Sequence, residues 1–416
     1  MAESSLLIGI DVGTTKVCAL VADMEETPSG GAALRILGVG LAPSQGMRKG
    51  VVVDVDQASR SIAEAVDKAQ RAAGYEIGAA FVSLAGAHVS SVNSRGVVGI
   101  SGGYGIDQDD IDRALDNAQA IAIPHGREVL HIIPRGFIVD GQEGIRQPLG
   151  MHGFRLEVEA HIITAATASV QNLTKCVEAA GVQVEAYVLN PLASAEVVLT
   201  DTEKEMGVVV VDIGGGTSDM AIYIDGNVWH TTVLAVGGAH LTSDIAHGLR
   251  LPADIAEQVK IQHGHAYAAD VPLSDSFTVQ PFGEDQPSTV SRFDLASIIE
   301  ARVEEIFGLI LQEIKRTGYD GLLPAGVVLT GGTSQLPGIR KVAGNVLNLP
   351  CRVAAPQGLQ GLVDKLSGPA YSTSVGLLHW ANRESQVAAR STGNKKKRGR
   401  TINIEKGLDF FKRLLP

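Results

Sequence analysis

At 416 residues, with 45% apolar but only 4% aromatic content and 48 glycines, the chain can build two or more cores of a glycine-turned α/β type. Its formal net charge of −11 argues against a broad nucleic-acid-binding surface. The three cysteines, Cys18, Cys176 and Cys351, lie far apart and form no CxxC pair, which disfavours a disulfide framework or a zinc site and suits a reduced, cytoplasmic setting.

The first residues, MAESSLLIGID, lack the basic segment of a signal peptide and lead straight into a strand pattern. No apolar run reaches the ~18 residues that a membrane-spanning helix needs. Short β-favouring runs at 6–10 and 17–22 enclose a polar loop, so strand follows strand. That order excludes a Rossmann or P-loop reading, because both place a helix directly after the glycines. Gly13 frees backbone N–H groups, Thr14 and Thr15 add hydroxyls, Lys16 adds a point charge, and Asp11 suits a water-mediated Mg²⁺. By itself such a loop is more often a plain turn.

Farther along, GIDQDDIDRALDNAQAIAI (105–123) has helical spacing, with Ile111, Leu115, Ala118 and Ala122 on one face and Asp107 as cap. Strand-like REVLHIIPRGFIVD follows, which suggests a small α+β unit. At 207 the opening pattern returns as GVVVVDIGGGTSDMAIYI: strand, Asp212, the turn Gly214-Gly215-Gly216-Thr217, strand. Two such units half a chain apart imply a duplicated domain whose hairpins face each other across a cleft. There they would clamp the β- and γ-phosphates of a nucleotide while Asp11 and Asp212 share one Mg²⁺.

His263 and His265 have no third ligand at suitable spacing and read as loop residues. Residues 270–292 read as strands and turns, and 293–319 as a long helix with Leu295, Ile299, Val303, Ile306 and Ile310 inward. AGVVLTGGTSQLPGIRKVAGNVL gives a strand over 327–330, a turn Gly331-Gly332-Thr333, and a helix from about Leu336; those glycines would let backbone approach a base or sugar closely.

The tail changes character. From Arg383 onward ten Lys and Arg face three Asp and Glu, a net +7, which leaves −18 on residues 1–382. Residues 383–403 read as a flexible basic linker. On a helical wheel Ile404, Leu408, Phe411 and Leu415 cluster, extended by Phe410 and Leu414, with Lys412 and Arg413 on the other face. Such a helix suits a bilayer interface with anionic lipid, or equally a docking face on its own domain or a partner.

The ordered set Asp11-x-Gly13-Thr14, Asp212-x-Gly214-Gly215-Gly216-Thr217 and Gly331-Gly332-Thr333 resembles the phosphate-1, phosphate-2 and adenosine motifs of the actin/Hsp70/sugar-kinase ATPases. The resemblance implies duplicated actin-like (ribonuclease H-like) domains around a nucleotide cleft, with ATP and Mg²⁺ as ligands. It also implies that Lys16 meets phosphate and that Glu257 and Lys260 of AEQVK reach the ribose or adenine. Within that superfamily, residues 126–164 and 230–249 are similar to segments of the FtsA family of bacterial cell-division proteins.

FtsA membership implies subdomain 1A over 1–82 and 160–190, an inserted subdomain 1C over 83–159, 2A over 191–245 and 326–382, and 2B over 246–325. It implies a C-terminal amphipathic membrane-targeting helix over 404–416, self-assembly into filaments, attachment to the cytoplasmic face of the membrane at the division site, and binding of the FtsZ C-terminal tail by 2B at Arg302. Further division partners are compatible with it. Asn190 stands where relatives place a water-positioning glutamate. Asn orients water but accepts no proton, so the expected activity is at most a slow ATPase. Two alternatives are a PilM-like type IV pilus scaffold of the same fold and a sugar-kinase-type phosphotransferase, for which no acceptor-site aspartate is evident.

Overall fold

The structure, a computed structural model, describes residues 6–26, 32–100, 105–120, 123–284 and 286–395. Two central sheets repeat one plan. In the first, Leu7–Val12 pairs antiparallel with Lys16–Glu26, which pairs antiparallel with Ala32–Pro43. On its other side Leu7–Val12 runs parallel to Ala79–Leu84, which runs parallel to Gln183–Leu189. In the second sheet Val208–Ile213, Ser218–Ile224 and Asn227–Leu234 form the antiparallel meander, and Val327–Thr330 and Cys351–Val353 the parallel side. The duplication expected from the two Asp–Gly/Thr hairpins therefore extends to five strands of each sheet. A sixth strand, Leu359–Gly361, returns from the second half to the edge of the first sheet.

Central strands read as continuous apolar runs because both faces are covered. Every residue of Val208–Ile213 is buried. The helix Val55–Ala73 covers one face of the first sheet with Ala58, Ile62, Ala65, Val66 and Ala69, spaced three or four apart. Asp54 caps its start by accepting the Gln57 N–H, and Gly74 in the left-handed region ends it. The second sheet packs on the helix Arg292–Thr317, which buries Leu295, Ile299, Val303, Ile306 and Ile310 as its spacing predicts. Between the sheets lie the helices Asn190–Val198 and Ser372–Lys395, joined to both in one apolar core that includes Leu192, Val210, Tyr223 and Trp380.

An inserted antiparallel sheet has the strand order Val89–Gly99, Arg155–Ala166, Arg127–Val139, Gln142–Ile145. The helix Gln108–Ala120 covers it, burying Ile111, Leu115 and Ala118, with Asp107 accepting the Asp110 N–H. Ala122 lies outside the described residues.

Three expectations differ from the structure. His263, expected in a loop, closes the helix Ala253–His263, which ends only at Gly264, and its ring stacks on Phe277. After Gly331 the chain forms a short 3-10 turn, Gly332–Gln335, and the α-helix begins at Ile339 rather than Leu336, because Pro337 removes an N–H donor and Gly338 turns the backbone into the left-handed region. The helix from Ser372 continues to Lys395, well into the 383–403 segment expected as linker. Low apolar content suggested a linker there, whereas Ala, Arg, Glu and Gln at 381–390 are good helix formers. Residues 404–416 lie outside the described residues, so the expected membrane face (Ile404, Leu408, Phe410, Phe411, Leu414, Leu415, Lys412 and Arg413) has no structural account.

Candidate nucleotide cleft

Both hairpin turns close in the same way. Gly13 donates its N–H to the Lys16 carbonyl at 3.0 Å, and Gly214 donates to the Thr217 carbonyl at 2.9 Å. The tips meet: a Cβ on Gly215 would collide with the Thr15 hydroxyl, and one on Gly216 with that of Thr14. Only glycine lets the second tip come this close, so the two hairpins form facing jaws. Thr14 Oγ1 also accepts the Gly50 N–H at 3.3 Å.

Behind the tips sit the two aspartates, both nearly fully buried. Asp11 accepts hydroxyl hydrogen bonds from Ser83 (2.9 Å) and Ser374 (2.7 Å), and Asp212 accepts one from Thr373 (2.7 Å). Thr373 and Ser374 are neighbours on the first turn of the helix Ser372–Lys395, so one helix end holds the carboxylates of both halves. Burial pushes the Asp212 carboxyl up to about 6, partly opposed by the Thr373 hydrogen bond and assisted by the Asp11 charge.

Asp219 is the acid that the sequence reading missed. It lies opposite Asp212 in the hairpin register, where Cys18 lies opposite Asp11. Its Oδ2 accepts from Thr217 Oγ1 (3.1 Å) and Asn190 Nδ2 (3.3 Å). Burial, with the charge of Asp212 adding to it, holds this carboxyl well above the usual carboxylate range. Lys16 donates to the Ala370 carbonyl and lies 3.4 Å from the centre of the Tyr371 ring. Burial holds its ammonium below the usual lysine range, although Asp11 and Asp212 pull the other way.

The third glycine turn joins the second jaw. Gly331, at φ +86°, has the Asp212 carboxylate and the Ile213 backbone where a side chain would be, and Thr333 Oγ1 donates to the Gly214 carbonyl at 3.0 Å. Gly332 follows in the 3-10 turn. Lys260 Nζ bonds Glu257 (2.6 Å), Thr242 (2.9 Å) and the Gly238 carbonyl (3.2 Å), and Gly238 in turn bonds Gly214. Glu257, Lys260, Gly331 and Thr333 thus gather beside Gly214, as one continuous site requires.

The donor set fits a hydrated divalent cation and a polyphosphate. Two buried carboxylates face a lysine, two turns present backbone N–H groups, and Asp219 Oδ1 and Asn190 Oδ1 are buried acceptors with no partner among the described residues. Arg302 lies elsewhere, on the helix Arg292–Thr317, where its Nε and Nη2 grip Asp244 (2.6 and 3.0 Å) and its Nη1 bonds Glu305 (2.6 Å).

Two like sheets whose Asp-bearing hairpins face one another, with a helix end clasping both acids, define an actin-like protein, here with an antiparallel sheet inserted in its first half. Solved structures agree in fold. The chain resembles PilM of the PilM–PilN type IV pilus biogenesis complex (TM-score 0.65, 15% identity, 90% of this chain and 98% of that chain). It also resembles MreB5 of Spiroplasma citri bound to AMPPNP (TM-score 0.54, 15% identity, 95% and 99%) and the MamK double helical filament (TM-score 0.51, 12% identity, 91% and 98%).

The family is set by sequence. The cell division protein FtsA model matches residues 209–376, and the SHS2 domain inserted in FtsA matches 86–164. Cell division protein FtsA of Pseudomonas aeruginosa is 44% identical over 376 residues, covering 90% of this chain and 89% of that protein. The Escherichia coli K12 protein is 37% identical over 404 residues, covering 94% and 95%. The chain belongs to the FtsA family of actin-like cell division proteins.

Proposed function

We propose that this division protein binds ATP with Mg²⁺ in the cleft, assembles with its own copies, and tethers FtsZ filaments to the cytoplasmic face of the membrane through residues 404–416. The observation that carries the nucleotide reading is the shared clasp, in which Thr373 and Ser374 of one helix hold the acids of both jaws. Asp11 and Asp212 would hold the hydrated ion, which supplies charge neutralisation to the phosphates. The amides and hydroxyls of Gly13–Lys16 and Gly214–Thr217 would bind the phosphates, and Gly331, Gly332, Thr333, Glu257 and Lys260 the nucleoside.

Turnover is secondary. Asn190 can orient a water but not accept its proton, and Asp219 is poised to keep its own proton. MreB5, of the same fold, is known with AMPPNP bound, and MamK as a filament, which supports both nucleotide binding and assembly. The pilus-scaffold alternative shares the fold at 15% identity, whereas the division proteins are 37–44% identical, which supports the division-protein reading over the pilus one. An FtsZ-tail carboxylate approaching Arg302 would displace Glu305, the more exposed of its two partners.

Co-sedimentation with vesicles of anionic phospholipid tests the tether. The full chain should pellet with the vesicles and carry FtsZ down with it. Deleting 404–416 should leave both in the supernatant, and Arg302→Glu should pellet alone. Equal pelleting by the deletion variant would remove the membrane assignment, and FtsZ recovery with Arg302→Glu the tail-binding one.

A further inference from the structure

The 3-10 turn Pro369–Tyr371 leads into the helix Ser372–Lys395 and belongs to none of the three glycine turns. On one side it is fixed to the third of them. The Pro369 carbonyl accepts the Gly331 N–H at 3.1 Å, and beside it the buried hydroxyls of Thr330 and Ser372 bond each other at 2.7 Å. On the other side the turn meets the first jaw. Lys16 Nζ donates to the Ala370 carbonyl and lies 3.4 Å from the centre of the Tyr371 ring. Lys341 and Lys204 sit 5.0 and 5.6 Å from the tyrosine rings below them, and Lys341 is also paired with Asp270. Lys16 is thus the lysine most closely held by a ring among the described residues.

The ring face attracts a cation through its quadrupole, and more strongly where water is excluded, as it is around the buried Lys16. The two groups that fix the ammonium, a carbonyl and a ring, carry no net charge. A carboxylate in their place would compete with a phosphate for the lysine, whereas these contacts leave its charge unspent. An ammonium has three N–H donors, and the Ala370 carbonyl takes one of them, which leaves two for another acceptor. The arrangement is that of a cation held in place rather than one neutralised.

We propose that Tyr371 is the positioning residue for Lys16: its ring holds the lysine where the β- and γ-phosphates of a bound nucleotide would meet it. This role rests on the nucleotide reading given above. It makes residues 369–374 a single framing segment for the ligand. Pro369 ties it to the nucleoside-side turn, Ala370 and Tyr371 set the phosphate-side lysine, and Thr373 and Ser374 hold the two acids. The contribution of Tyr371 should therefore fall on the phosphates alone.

Calorimetric titration of the full chain with Mg²⁺ and either ATP or AMP, which lacks the β- and γ-phosphates, tests this. Tyr371→Leu should weaken ATP about three- to ten-fold and leave AMP within about two-fold. Tyr371→Phe keeps the ring and should bind ATP within about two-fold of the unaltered chain. In a Lys16→Gln chain, Tyr371→Leu should add almost nothing, because the ring has no cation left to hold. Equal losses for ATP and AMP, or losses that add in the double variant, overturn the proposal. The contact is also read without nucleotide or a Tyr371 variant. The ε-methylene NMR signals of Lys16, assigned by their loss in Lys16→Gln, should lie upfield of the other lysines through the ring current of Tyr371. Ordinary Lys16 shifts overturn the positioning role even where ATP binds. A chain with shifted Lys16 signals that binds no ATP overturns the nucleotide reading, and this role with it.

Discussion

The two hairpins share a scaffold and differ in chemistry. Each ends its first strand in an aspartate, closes its turn with the same glycine N–H bond, and returns in register. Opposite Asp11 the first hairpin places Cys18, whose thiol burial pushes up to about 12; opposite Asp212 the second places Asp219. The first jaw carries the lysine and has threonines at its tip, and the second has glycines at its tip and carries the extra acid. The two copies share the geometry, and differences at two positions, Lys16 against Thr217 and Cys18 against Asp219, make one jaw a cationic cradle and the other an acidic wall. The second wall is therefore the electrostatically strained one, and the variants below should separate the two.

The largest effect is expected at Asp212. Its pKa rises from an ordinary 3.8 to about 6 on folding, so the folded chain binds more protons than the unfolded one between those values. Stability from this group is complete below about pH 4, falls between about 4 and 6, and stays lower at neutral pH, a loss on the order of 3 kcal/mol. Asp212→Asn should accordingly raise the melting temperature of nucleotide-free protein at pH 7.5 but not at pH 4, while weakening ATP binding about 100-fold or more. Melting curves at both pH values check the sign; a destabilised variant at pH 7.5 would show that the acid is not strained.

Next comes the contact of the tips. Gly215→Val should collide with Thr15, cost about 1–3 kcal/mol and weaken nucleotide binding. Adding Thr15→Ala should restore part of the loss, and a double-mutant cycle with no coupling would mean that the jaws do not touch in solution. Lys16→Gln should weaken ATP about ten-fold, near 1.4 kcal/mol, by fluorescence titration. The smallest effects concern the clasp. Thr373→Val removes the hydroxyl donor to Asp212 and should cost about 1 kcal/mol in denaturant unfolding. Ser374→Ala should cost less, because Asp11 keeps the Ser83 bond.

The hairpins were legible in the sequence because strand, Asp, Gly/Thr and strand are contiguous in each copy. The long helix near residue 300 was legible because its apolar spacing survives on one face. The clasp was not. Thr373 is 161 positions from Asp212, and Ser374 is 363 from Asp11, so nothing local ties them, and Ser372-Thr373-Ser374 reads as an ordinary helix start. Asp219 was overlooked because its counterpart is a cysteine, so comparing the copies cancels it. Counting back across the turn from Asp212 would have placed it opposite that acid.

Calorimetric titration of ATP into the full chain, with and without Mg²⁺, tests the central claim most directly. If both jaws share one ion, affinity should depend on Mg²⁺, Asp11→Asn and Asp212→Asn should each weaken it, and the double variant should lose less than the two losses together. Binding that ignores Mg²⁺ and survives both substitutions would contradict the two-jawed clamp.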